Sequence, residues 1–126
     1  MRFLSDEHLA AATTAFAADE ELQREARGVT LAIVYFVSAA PGGDFTYYLR
    51  IAGDQVVMAR GEVAERDAEV RSSYDTVAQM ARGEIANQSA VMLGKVRIKG
   101  GMMTLLRHQA LLNRVQVVSA ALELSY

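Results

Sequence analysis

The chain has 126 residues, of which 52% are hydrophobic and 22% charged, enough apolar content for one core and too much for a disordered segment. Thirteen basic and 15 acidic residues leave a net charge of −2, so no global field draws the protein to nucleic acid or to an anionic membrane. With no cysteine and only His8 and His108, disulfides, thiolate metal sites, a Cys nucleophile and a His-rich metal centre are excluded.

The elements read as follows. Ser5 before Asp6 and Glu7 is a helix start, a hydroxyl cap followed by carboxylates that the helix dipole favours. Leu9, Ala12 and Phe16 then recur at helical spacing, while His8 sits in the first turn and reads as exposed. Asp19 can cap a second short helix, Glu20 to Ala26, which Gly28 ends. Val29 to Val37 is continuously apolar, a strand that needs cover on both faces. A loop around Pro41 leads to Phe45, Tyr47, Leu49 and Ile51, which alternate with Thr46, Tyr48 and Arg50. Ala52-Gly53-Asp54 is a tight hairpin returning through Val56 to Met58, and Ala68 to Tyr74 is a further strand.

Asp75 can cap a helix through Met80, and a second helical piece covers Ile85 to Val91. Gly94 to Gly100 is an alternating strand, followed by one long helix from about Met102 to Leu124. The sum is a single α+β domain over residues 1–126, with antiparallel pairing among its early strands. The N-terminus lacks a signal-peptide apolar core and the longest apolar run, Leu31 to Val37, is far short of the ~20 residues that span a bilayer. A cytoplasmic protein without integral membrane association is the expectation.

On a helical wheel the last helix is apolar twice over. Met102, Met103, Leu106, Ala110, Val117, Ala121 and Leu124 form one face, and Leu111, Leu112, Val115 and Leu122 another. One face takes the sheet; the other takes a second helix, a partner subunit or a bound lipid. Met80, Met92, Met102 and Met103 cluster around the same corner, where flexible thioether side chains can line an adaptable apolar site or simply fill the core. Lys95, Arg97 and Lys99 share one face of a short strand whose other face holds Val96 and Ile98. That stripe is either a solvated face or a head-group site for an anionic lipid. No nucleophile and base converge: His108 has no carboxylate at helical spacing, and the aspartates fall at caps and turns. Glu62, Glu65, Asp67 and Glu69 read as a solvated connection rather than a metal site.

Gly94-Lys95-Val96-Arg97-Ile98-Lys99-Gly100 followed by Met102-Met103-Thr104-Leu105-Leu106 resembles the closing motif of the sterol carrier protein type-two family. Tyr47 to Gly53 looks like that family's second strand and hairpin, and Tyr74 to Glu84 like its helical insertion, in family order. The resemblance implies a five-stranded, mostly antiparallel sheet covered by helices, with an apolar tunnel between the layers. It also implies a carrier without catalysis or cofactor, which binds a fatty acid, fatty acyl-coenzyme A, a sterol or a phospholipid. Carried over by segment, the tunnel would draw on Phe36, Tyr47, Leu49, Met80, Met92, Met102, Met103 and Leu106, with Lys95, Arg97 and Lys99 as head-group candidates. Gly101 stands where the family has a polar cap, which predicts a last helix that starts loosely and acts as a lid. The alternative is a homodimeric or accessory interaction module that uses the same apolar surfaces without lipid.

Overall fold

The computed structural model describes residues 1–126. In chain order it contains α1 (Asp6–Ala18), α2 (Glu20–Ala26), β1 (Leu31–Ala40), β2 (Gly43–Ala52), β3 (Gln55–Arg60), β4 (Ala68–Ser73), α3 (Tyr74–Ala81), α4 (Asn87–Met92), β5 (Val96–Lys99), α5 (Met102–Arg107) and α6 (Gln109–Ala120). The five strands form one sheet in the order β3-β2-β1-β4-β5. Only the β1–β4 pair is parallel: after the β2–β3 hairpin, the connection over residues 61–67 carries the chain past β1 and lays β4 along it in the same direction.

The caps follow their chemistry. Ser5 accepts a hydrogen bond from the His8 amide, and Asp19 accepts one from the Leu22 amide. The cap of α3 is Ser73, two residues before Asp75, its hydroxyl accepting from the Thr76 amide. Thr13 protects the sheet edge at β3: its hydroxyl accepts from the Met58 amide and donates to the Met58 carbonyl. Two backbone groups that would otherwise offer a template for strand addition are thereby occupied.

Strand parity decides which side is wet. Leu31, Ile33, Tyr35 and Val37 of β1 face the helices, together with Phe45, Tyr47, Leu49 and Ile51 of β2. The other side of β1 is covered by the β3–β4 connection rather than by a helix layer. There Asp67 accepts a hydrogen bond from the Ala32 amide, and Arg66 lies over the Phe36 ring. Asp67 is therefore a structural residue rather than one member of a solvated acidic run.

The expected long C-terminal helix is two helices. His108, with φ −104° and ψ 27°, breaks the chain between α5 and α6. Backbone hydrogen bonds from His108 to Thr104 and from Leu112 to His108 bridge the joint, and the two faces of the wheel persist across it: Met102, Met103, Leu106, Ala110 and Val117 are exposed, while Leu111, Leu112 and Val115 share the covered side. Within α5 only Leu105 is buried, and within α6 the buried residues are Leu111, Val115 and Val118. Leu111, on the second face of the wheel, is 2% exposed and belongs to the main core, so this is the face that takes the sheet.

Gly101 explains itself by contact. Its φ is +44°, and a Cβ there would lie 2.2 Å from the Asp67 carbonyl oxygen. A capping side chain is absent because no side chain fits, and α5 starts pressed against the β3–β4 connection rather than loosely.

Candidate functional site

The helix-facing side of the sheet is packed solid at one end of the strands and hollow further along. Phe16, Leu22 and Ala26 of the first two helices fill the space over Leu31 and Ile51, all at most 3% exposed. Toward Tyr35 and Tyr47 the layers part around a cavity of about 310 Å³. That volume is at the low end of the ~300–1,000 Å³ typical of small-molecule sites.

Of 25 residues lining the cavity, 20 are hydrophobic, and none is Asp, Glu, Lys or Arg. The sheet contributes Ile33, Tyr35, Tyr47, Leu49, Met58, Val70, Ser72, Val96 and Ile98. The helices contribute Val77, Met80, Val91, Leu105, Leu112, Val115 and Ser119 among others, and the chain termini add Phe3, Leu4, Leu124 and Tyr126. Every lining strand residue has the parity of the helix-facing side, which is why one short period-2 pattern builds a whole wall.

Three of the expected tunnel residues, Tyr47, Leu49 and Met80, lie on this wall. Five others lie elsewhere. Phe36 has the opposite parity and sits on the far side of the sheet, with the Arg71 guanidinium 4.1 Å from its ring centre. Met92 ends α4 and is 87% exposed. Met102, Met103 and Leu106 are exposed because α5 turns Leu105 inward instead. The same alternation separates the cationic stripe from the cavity. Val96 and Ile98 line it, so Arg97 and Lys99 project from the opposite side, paired in register with Arg71 and Glu69 of β4, and Lys95 just before the strand is exposed too. The sheet itself stands between these cations and the cavity.

Residues absent from the sequence expectation include Tyr35, Ile33, Val70, Ile98, Leu112 and Ser119. A signal for the strand members exists, since each has the parity of Tyr47 or pairs beside it: Tyr35 is opposite Tyr47, and Val70 is beside both Tyr35 and Ile98. Ser119 has no such signal, because nothing in a helical sequence distinguishes a serine that borders a cavity.

The polar groups in this apolar space are few. Tyr35 and Tyr47 stack with ring centres 4.7 Å apart and planes 8° from parallel. Burial pushes the Tyr35 phenol up to about 12 and the Tyr47 phenol higher still, with its neighbour Tyr35 adding to the rise, so both stay protonated donors. Ser119 Oγ is buried with no hydrogen-bond partner, a situation that costs a native structure about 1–3 kcal/mol.

His8 is buried, contrary to its expected exposure. Leu4, in a left-handed turn at φ +52°, folds back so that its amide donates to His8 Nδ1 at 3.0 Å. Burial holds the imidazole below its ordinary pKa, so it is neutral. Across the helices, Asn87 of α4 and Gln116 of α6 join their side-chain amides by two hydrogen bonds, 2.5 and 3.2 Å, beside the cavity.

A mostly apolar cavity with no Asp, Glu, Lys or Arg on its wall can hold a hydrocarbon chain by taking it out of water. No helix of the structure is long and apolar enough to cross a membrane.

The comparisons agree with this geometry. The fold is similar to a crystal structure of sterol carrier protein 2, with a TM-score of 0.79 at 16% identity, covering 97% of this chain and 100% of that one. It is also similar to the solution structure of a conserved hypothetical protein, possibly a sterol carrier protein, from Thermus thermophilus (TM-score 0.76, 17% identity, 99% and 92% covered). A third similar structure is palmitated SCP2L2 from Aedes aegypti (TM-score 0.63, 15% identity, 97% and 99% covered). No curated protein sequence matches the chain significantly. The profile that describes the SCP-2 sterol transfer family matches residues 12–113, well over half of the sequence, and the chain belongs to that family.

Proposed function

We propose that the chain acts as one lipid-binding domain that holds an acyl chain or a similar apolar ligand between sheet and helices, and catalyses no reaction itself. The observation that carries this reading is the cavity wall: 20 hydrophobic residues of 25, with no charged side chain among them. Each methylene moved out of water supplies ~0.8 kcal/mol, so about ten buried methylenes supply ~8 kcal/mol before the cost of association. The Asn87–Gln116 clasp, the short α4 and the exposed Val91 beside them mark where the wall opens to admit a chain.

The fatty acid, acyl-coenzyme A, sterol and phospholipid classes all remain within this reading, and the palmitated relative supports an acyl occupant. The testing experiment is organic-solvent extraction of the purified protein with mass spectrometry of the extract, alongside native mass. A stoichiometric fatty acid, alcohol or phospholipid supports the reading. An empty protein that also fails to take up a neutral apolar fluorophore overturns it.

A further inference from the structure

The cover over the cavity is fastened unevenly. Its chain-terminal part is tied by two backbone hydrogen bonds, from the Phe3 amide to the Ser125 carbonyl at 2.9 Å and from the Ser125 amide to the Met1 carbonyl at 2.8 Å, and Phe3 is buried against the Tyr74 and Tyr126 rings. The next part, α3, is capped by Ser73 and buries Thr76 and Ala78. Across from it, α6 buries Leu111, Val115 and Val118, and its Arg114 is bonded twice to Asp19 at the start of α2.

The segment from Arg82 to Lys95, which contains α4, has no such fastening. Ala90 is its only buried residue, Ile85 is half-buried, and the rest is exposed. No side chain caps the start of α4. Glycines stand on either side of it, Gly83 at φ +75° and Gly94 at φ +73°, and a Cβ at either position would meet nothing within 4 Å. Both turns therefore have open space in which to rotate, and glycine tolerates the change in backbone angle. The hydrogen bonds that tie α4 to α6 are those of the reciprocal Asn87–Gln116 amide pair, beside which Val91 borders the cavity. Lifting the segment gives up the burial of Ala90, part of that of Ile85, and two bonds already open to water. Few buried apolar contacts and exposed hydrogen bonds put a segment among the first to open in a fold.

Resting on the lipid-binding reading, we propose that residues 83–94 are a flap hinged at Gly83 and Gly94 over the cavity, and that the Asn87–Gln116 amide pair is its latch. Ligand enters and leaves when the flap lifts, and the latch sets the rate of exchange rather than the affinity. Each amide is satisfied by the other, so the latch closes alike over an empty and a filled cavity and favours neither state. Weakening it speeds entry and exit by the same factor.

The test is stopped-flow exchange of N-phenyl-1-naphthylamine, a neutral apolar fluorophore, alongside its equilibrium Kd. Asn87→Ala and Gln116→Ala are each expected to raise the uptake and release rates together by ~3-fold or more and to leave Kd within about twofold. An unchanged Kd also shows that the variants keep their cavity. Because the chain has no cysteine, the Asn87→Cys/Gln116→Cys pair can be bridged specifically with a short, reducible bis-methanethiosulfonate. Bridging is expected to slow both rates ~10-fold or more, and dithiothreitol to restore them. Rates that ignore the bridge place entry elsewhere and overturn the flap while leaving the lipid reading standing. Alanine variants that raise release alone and weaken Kd in proportion overturn it too, since the pair is then part of the binding wall. A parent protein that takes up no fluorophore overturns the lipid reading itself.

Discussion

The same sheet side is solid at one end and hollow at the other. Leu31, Ile51, Val56 and Ala68 are at most 4% exposed beneath Phe16, Leu22 and Leu111. One or two residue pairs further on, Tyr35, Tyr47, Met58 and Val70 have the same parity and similar apolarity, yet they border open space. The strands are not what differ. The 13-residue α1 brings Phe16 to the solid end and one side of α6 brings Leu111 there, whereas the hollow region is bordered by the other side of α6, with Leu112 and Val115, and closed by the six-residue α4, the eight-residue α3 and the chain termini. Short helices with loop joints cannot follow the sheet closely enough to reach the density of ordinary interiors. A hollow here is a property of the cover.

The largest effect that would test this contrast is Phe16→Ala. In the solid region it should cost ~3–5 kcal/mol in urea unfolding, while Leu112→Ala on the cavity wall should cost under ~2 kcal/mol because part of its surroundings is already empty. Equal losses would mean that the hollow is filled in solution. Next comes Gly101→Ala, expected to cost ~1–3 kcal/mol, since the new Cβ meets the Asp67 carbonyl and the left-handed conformation is itself strained. A neutral result would show that α5 does not bear on the β3–β4 connection.

Leu112→Trp should fill the hollow rather than strain it, lowering fluorophore capacity ~10-fold with a melting temperature within about 4 °C of the parent. A smaller effect concerns His8. Its folded pKa is depressed by burial, so the stability of the neutral form is fully present above the ordinary value of 6.5 and declines as pH falls through the folded pKa. His8→Asn, which keeps an acceptor for the Leu4 amide, should flatten the melting temperature between pH 7 and 5; an unchanged slope would place the titration elsewhere. Asp19, held at about 2 chiefly by the Arg114 hydrogen bonds, acts only at more acidic pH. The smallest effect is expected of Arg97→Gln and Lys99→Gln, which should leave chain binding within about twofold because the sheet separates them from the cavity. A large loss there would restore the head-group role of the stripe.

The strands and short early helices are legible in the sequence because their signals are local: Ser5 and Asp19 cap where capping chemistry puts them, and Tyr47 and Leu49 alternate into the wall. The C-terminal part is not, because the helix break at His108 carries no Gly or Pro to announce it. The wheel separates two apolar faces but does not say which meets the sheet, and the side with Met102, Met103 and Leu106, expected at the tunnel, is the exposed one. His8 escapes the sequence for a different reason. It follows Ser5, Asp6 and Glu7 in an exposed first turn, and the fold-back at Leu4 encloses it. The stripe at Lys95, Arg97 and Lys99 is one-sided in sequence and in structure alike, but which side holds ligand is decided by tertiary packing.

The chain ends have a practical consequence. Arg2 pairs with Ser125, the Phe3 amide donates to the Ser125 carbonyl, and Phe3 packs against Tyr126, so both ends leave from beside the cavity. Anything tethered to either end by a short flexible linker would be held there at an effective concentration on the order of millimolar. A fused enzyme could then receive cargo without a separate docking surface, and a tag on either end would need a spacer to keep from obstructing exchange.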